Sequence, residues 1–367
     1  MIPVNEPLIG EKEFQYVTEC LKTGWISSAG KFIEQFETKW SEYCGMQYGI
    51  AVSSGTAALQ VAVGCIDLKS GDEVIMPTFT IISCALAVIY NGGKPVLVDA
   101  DPKTWTMDVS QIESKITSRT RAIMPVHIYG HPCDMNPIIE LAKKYKLVVI
   151  EDAAEAHGAE YKGKKCGGLG DISCFSFYAN KIVTTGEGGM VLTNNEEYAE
   201  KAKSLRNLCF RQDRRFYHTE LGYNFRLTNI QAAIGLAQLE RIDELVEKKR
   251  WIGQTYNEKL KNIPGLSLPT EELWAKNVYW MYGVVLKKEL GLTAEDMINK
   301  LAERRIQTRP FFYPLNKQPA FEKFTWFKKV SLPISENLYH YGFYLPSGMT
   351  LTDEKIIRVV DSLKEIL

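Results

Sequence analysis

The sequence predicts an α/β fold: a large domain with a mostly parallel sheet covered by helices, followed by a smaller α+β C-terminal domain. Short apolar runs of strand length alternate with helical stretches between residues 48 and 192, the rhythm of a parallel sheet covered on both faces. The chain has 367 residues, more than one core usually accommodates. Its rhythm also changes after Pro264-Gly265.

Taken in order, residues 8–23 place Phe14, Val17, Cys20 and Leu21 on one helical face, and Gly24 ends that helix. A second amphipathic helix is expected over 30–43. Strands are expected at 48–52, 73–76, 95–98, 122–126 and 147–150, with helices at 56–65, 81–90 and 138–145. Residues 171–192 read as strand, glycine-rich loop and strand, and 197–205 as helix. Residues 207–223 form a polar, aromatic-rich loop. One long helix should run from Asn229 through Lys249 towards Leu260. Beyond it, a strand over 278–286, a helix over 293–304, a loop over 308–319 and a helix over 353–366 suit the smaller domain. The expected boundary divides 1–248 from 249–367.

Lys plus Arg and Asp plus Glu both number 44, so no basic footprint points to nucleic acid. No apolar run approaches the ~20 residues of a membrane span, and Met1–Pro7 lacks the basic and apolar regions of a signal peptide. The eight cysteines are scattered and never spaced Cys-x-x-Cys, which reads as buried reduced thiols in a cytoplasmic protein.

Three constellations carry chemistry. Ser53-Ser54-Gly55-Thr56-Ala57-Ala58 joins a strand to a helix, where free backbone N–H groups suit a phosphate; taken alone, the motif is better explained by Ser54 capping the helix. Val148-Val149-Ile150-Glu151-Asp152 ends a strand in acids, placing Asp152 at the carboxyl edge where open α/β sheets bind ligands. A buried carboxylate there needs a cationic partner, and a protonated ring nitrogen would serve. Asp152, Glu155 and His157 also allow a metal-dependent hydrolase, a rival of a different class, but no further ligands stand at fixed spacing. His127, His131 and Cys133 are better explained by a strand-end loop between Gly130 and Pro132.

The third constellation is Asp171–Leu192, where Lys181 follows an apolar strand and precedes Gly186, Gly188 and Gly189. These glycines match neither the phosphate loop of nucleoside triphosphatases nor Gly-x-Gly-x-x-Gly. A desolvated lysine is a nucleophile towards carbonyls, and Ser176 is available to a phosphate. Phosphate donors, a carboxylate and a lysine together meet the needs of pyridoxal 5′-phosphate.

The chain resembles the DegT/DnrJ/EryC1/StrS nucleotide-sugar aminotransferases over essentially its whole length. The matching motifs include Gly24-Trp25-Ile26-Ser27-Ser28, Ser53–Leu59, Pro77-Thr78-Phe79-Thr80, Val126–Pro132, Glu151–Gly158, Lys181–Met190, Gly222–Thr228 and Thr308–Pro314. The resemblance implies a fold-type I aminotransferase, homodimeric with shared active sites and dependent on pyridoxal 5′-phosphate. It implies that Lys181 holds the cofactor aldehyde and then serves as acid–base, while Asp152 pairs with the ring nitrogen. Gly55, Thr56 and Ser176, beside Ser54, would hold the phosphate, with Asn224 reaching it from the other subunit. Glu155 would face the ring, and Arg226, Arg309 and Tyr313 are candidates for substrate contacts.

Within the family, the Asp152–His157 and Phe177–Gly189 forms look most like GDP-perosamine synthases. That implies glutamate and GDP-4-keto-6-deoxy-mannose as substrates, in O-antigen synthesis; another UDP- or dTDP-linked ketosugar is the alternative. Two points bear on this reading. Ile81 stands where many relatives carry an aromatic that stacks on the cofactor, which leaves the stacking partner open. Some relatives are dehydratases with histidine in place of the lysine, so Lys181 argues for amino transfer.

Overall fold

The computed structural model describes residues 1–327 and 330–367. Its centre is a seven-stranded sheet. From edge to edge the strands are Tyr48–Val52, Gly189–Thr193, Ile172–Ser176, Val148–Asp152, Thr120–Ile123, Glu73–Pro77 and Lys94–Val98. Only Gly189–Thr193 runs against its neighbours; the other adjacent pairs are parallel. Parallel neighbours need a crossover, and helices such as Ile82–Tyr90 and Met135–Tyr145 supply it. The chain leaving Ser176 returns through a loop without a helix, so the next strand pairs antiparallel. Val52, Pro77, Ile123, Asp152 and Ser176 consequently end at one edge, and the segments leaving them build the site.

Strands Glu73–Pro77 and Ile172–Ser176 are buried at every residue, as expected of a sheet packed on both faces. Phe36, Trp40, Phe175 and Phe177 interlock in the main core, with Trp40 edge-on to Phe175 at 5.1 Å and to Phe177 at 4.7 Å. A second sheet orders Leu266–Ser267, Tyr282–Leu286, Gly342–Leu345 and Arg309–Pro310, all antiparallel. Helices Ala294–Glu303 and Asp353–Ile366 contribute Met297, Leu301, Ile356 and Val359 to a core shared with Tyr256, Tyr282 and Phe343. Ile2 enters that same core and pairs with Ile306, so the chain's first residues are tied to its last third. The eight cysteines are buried and unpaired, and among the described residues no helix is long and apolar enough to cross a membrane.

Several expected elements differ. The single long helix is two, Asn229–Leu239 and Ile242–Leu260. Glu240 at the break takes the Lys12 ammonium at 2.7 Å and the Tyr16 hydroxyl at 3.1 Å. Arg241 turns to Glu13, at 3.1 Å, and to the Leu8 carbonyl. Tertiary contacts to helix Glu11–Thr23 thus compensate for the lost helical bonds. That N-terminal helix buries Glu13 and Cys20 and leaves Phe14 and Leu21 68 % and 62 % exposed, because the Glu13–Arg241 pair selects the inward face. The strand expected over 122–126 stops at Ile123, and the one expected over 278–286 begins at Tyr282. Pairing fixes both limits: Val126 retains only an isolated bridge to Asp152, and Tyr282 is the first residue paired with Gly342–Leu345. Helix Pro333–Tyr341 and strand Gly342–Leu345 had no counterpart in the sequence reading.

Candidate active site

At the carboxyl edge of the large sheet lies a cavity of about 350 Å³, and Ser54, Thr56, Asp152, Glu155, Ser176 and Lys181 line it. Elements distant in sequence therefore converge on one space.

At one end, helix Gly55–Cys65 starts behind an extended Ser54, whose hydroxyl accepts the Ala57 N–H at 3.1 Å. Ser54 is thus the helix cap, and the Gly55 and Thr56 N–H groups are left directed at the first turn's open end. A Cβ on Gly55 would fall 2.6 Å from the Ser176 Cβ, so only glycine brings this turn against Ser176. The Thr56 and Ser83 hydroxyls lie 2.9 Å apart. Hydroxyls and free N–H groups at a helix N-terminus form an anion cradle, and Gly55, Thr56 and Ser176 fit the phosphate of pyridoxal 5′-phosphate.

In the middle, Asp152 is 3 % exposed. Its two oxygens accept the Cys84 thiol and the Ala154 N–H, each at 3.1 Å. Burial raises the carboxyl above its usual range, although both hydrogen bonds oppose the shift. Among the described residues no cation stands within ion-pair distance of it. A buried carboxylate with spare acceptor capacity suits a cationic ring nitrogen, so this part of the site also fits the cofactor.

At the other end, the Lys181 Nζ lies 3.7 Å from Glu155 Oε1 and 3.5 Å from the centre of the Trp280 indole. Glu155 accepts the Tyr129 N–H at 2.7 Å. Burial lowers the Lys181 amine and raises the Glu155 carboxyl, while each offsets the other's shift. A lysine so placed is more often neutral, and more nucleophilic, than one in water.

Asn224, Arg226, Arg309 and Tyr313 do not line this cavity. Asn224 is exposed, and its side-chain oxygen accepts from the Arg226 guanidinium at 2.7 and 3.0 Å. Arg226 borders a separate cavity with Arg206 and Asn207. Arg309 is exposed but pairs across the small sheet with Tyr344, a wall of the main cavity. Tyr313 packs edge-on to Tyr339 at 4.6 Å. Ile81 lines the cavity and is 44 % exposed.

Sequence reasoning missed Trp280, Tyr344 and Phe312 in the cavity lining, as well as the thiol on Asp152. An available signal was the aromatic density of Tyr279-Trp280-Met281-Tyr282, which period-based reading absorbed into a strand.

His157 does not join Asp152 and Glu155. Its Nδ1 accepts the Val183 N–H at 3.2 Å, and its ring packs edge-on to Trp40 at 5.1 Å. Among the described residues no group of three His, Cys, Asp or Glu side chains is arranged to hold a metal, so the structure does not support the hydrolase alternative. Burial, followed by the Lys181 charge, lowers the His157 imidazole to about 3. The folded chain then binds fewer protons here than the unfolded chain below the ordinary histidine value of 6.5. Stability present above that value is lost as pH falls towards 3. We predict that urea-measured stability declines more steeply on acidification in the wild type than in His157→Gln, by about 1.4 kcal/mol per pH unit within that window. Parallel pH slopes would refute a neutral, buried His157.

Residues 7–364 match the DegT/DnrJ/EryC1/StrS aminotransferase family. The chain is 44% identical to a GDP-perosamine synthase of Escherichia coli O157:H7, covering 99% of this chain and 98% of that protein. It is 45% identical to a GDP-perosamine synthase of Caulobacter vibrioides, covering 100% and 98%. The PLP form of Spr1654 from Streptococcus pneumoniae superposes with a TM-score of 0.93 at 25% identity, covering 100% of this chain and 98% of the other. The matches span nearly the whole chain, and Lys181 and Asp152 line one cavity: the chain belongs to the DegT/DnrJ/EryC1/StrS aminotransferase family.

Proposed function

We propose that this pyridoxal 5′-phosphate-dependent aminotransferase transfers the amino group of glutamate to C4 of GDP-4-keto-6-deoxy-mannose, giving GDP-perosamine. The observation that carries the reading is end-to-end identity of 44% and 45% with two GDP-perosamine synthases. The convergence of Lys181 and Asp152 in one cavity supports the same chemistry.

When bound, the cofactor supplies an aldehyde that accepts the amino group and a ring that withdraws electron density. The chain's residues do the rest. Gly55, Thr56 and Ser176 would anchor the phosphate, and Asp152 would keep the ring nitrogen protonated. Lys181 would hold the aldehyde between turnovers. When free, its amine would take the proton from the α-carbon of glutamate and later deliver one to the sugar C4. Glu155, beside that amine, steadies its charge. Water is limited by Trp280, Phe312 and Tyr344, which also line the cavity.

A homodimer fits the exposed apolar side chains near the N-terminus: Phe14, Leu21, Trp25 and Ile26 are 48 % to 68 % exposed, a density typical of interaction surfaces. In such a dimer Asn224 serves the partner's phosphate site. Arg226, Arg309 and Tyr313 then contact nucleotide or sugar, and the chain divides near residue 248 into its large and small domains. A cytoplasmic O-antigen pathway is the setting we infer.

Purified protein given glutamate and a panel of GDP-, UDP- and dTDP-linked 4-ketosugars should aminate GDP-4-keto-6-deoxy-mannose fastest, as judged by mass spectrometry of the product. Preference for a UDP or dTDP sugar would replace the substrate and leave the amino transfer intact.

A further inference from the structure

We propose that Trp280 is a positioning residue for amino transfer: its indole face receives the Lys181 ammonium whenever that amine is not covalently engaged. This inference rests on the reading of Lys181 as the reacting amine. The Lys181 Nζ stands 3.5 Å from the centre of the Trp280 ring, inside the range of a cation–π contact.

The ring is held from three sides. Its Nε1–H donates to the carbonyl of Asn180, the residue before Lys181, at 2.8 Å. Its own backbone carbonyl accepts the buried Lys249 ammonium at 2.8 Å. The Tyr129 ring lies nearly parallel to it, with centres 6.2 Å apart. Trp280 is only 4 % exposed, so its quadrupole acts where water screens little. It is therefore a fixed platform tied to the backbone that carries the lysine.

The charged groups around Lys181 do not make the ring redundant. Glu155, on the turn after strand Val148–Asp152, is 3.7 Å away, and Asp152 and burial act in opposite directions. His157 is neutral, with its imidazole lowered to about 3. Lys249, from helix Ile242–Leu260, is buried, and burial, followed by the Lys181 charge, lowers its amine to about 7. A π face attracts the ammonium and not the neutral amine, so Trp280 counters burial without adding another acid. Because its position is fixed, it also holds the proton donor in one place between covalent states.

The test compares Trp280→Leu and Trp280→Phe with the wild-type full chain. Cofactor is stripped and returned, and the rate of its recapture is followed by absorbance against pH, which reports the neutral fraction of the capturing amine. Borohydride fixation and peptide mapping identify that amine. We expect the Trp280→Leu midpoint to fall by about one pH unit, a tenfold loss of proton affinity. Trp280→Phe, which keeps a π face, should fall between leucine and wild type. Were Trp280→Leu to misfold by circular dichroism, a lowered midpoint in Trp280→Phe would carry the proposal. Midpoints coinciding with wild type while the label maps to Lys181 would overturn the role of Trp280 alone. A label on another lysine would overturn it together with the reading of Lys181.

Discussion

Lys181→Ala should abolish amino transfer, lowering kcat at least about 10³-fold, since it removes both the anchoring nucleophile and the acid–base. The protein should still fold. Lys181 is buried and its nearest carboxylate is 3.7 Å away, so its removal relieves desolvation rather than opening a tightly bonded network. Steady-state assays with glutamate and ketosugar, alongside thermal unfolding, separate the two effects. Turnover within tenfold of wild type would remove Lys181 from the mechanism.

Asp152→Asn should slow turnover less than Lys181→Ala and more than any other single change in the cavity. The substitution preserves shape, and its amide oxygen can still accept from Ala154 or Cys84. It nevertheless cannot stabilise a protonated ring nitrogen as a carboxylate does. A loss of about 10²–10³-fold in kcat follows from removing one preorganised electrostatic partner. Cofactor affinity should fall less, because Gly55, Thr56 and Ser176 remain. If affinity collapsed while kcat at saturation stayed unchanged, Asp152 would be a binding residue only.

The parts legible from sequence share a physical trait: each sits within a few residues of a strand end. An apolar run followed by Ser54-Gly55-Thr56, by Asp152 or, after a short turn, by Lys181 marks both the strand and the cavity residue beyond it. In a parallel sheet those ends meet at one edge, so order along the chain was enough to gather them. Trp280, Phe312 and Tyr344, which also line the cavity, have no such local mark. Trp280 belongs to the segment leading into the small sheet, and its contact with Lys181 exists only through tertiary packing of Lys249, Asn180 and Tyr129 against it. The break at Glu240–Arg241 was hidden for a similar reason, since its cause lies in Lys12, Glu13 and Tyr16. Cys84 reads as an ordinary apolar helix residue, and only the fold brings its thiol to Asp152.

Two buried lysines compete for the central role. Burial lowers the amine of Lys249 to about 7, and burial also lowers the Lys181 amine, against the pull of Glu155 and Asp152, so acid–base grounds alone do not separate them. Geometry separates them. Lys249 spends its hydrogens on the carbonyls of Trp280 and Ser347 and does not line the cavity, whereas Lys181 lines it beside Glu155. Borohydride reduction of the cofactor-loaded protein, followed by mass-spectrometric peptide mapping, tests this most directly. A single modified lysine, Lys181, is expected; modification of Lys249, or of no lysine, would remove Lys181 from the role of cofactor anchor.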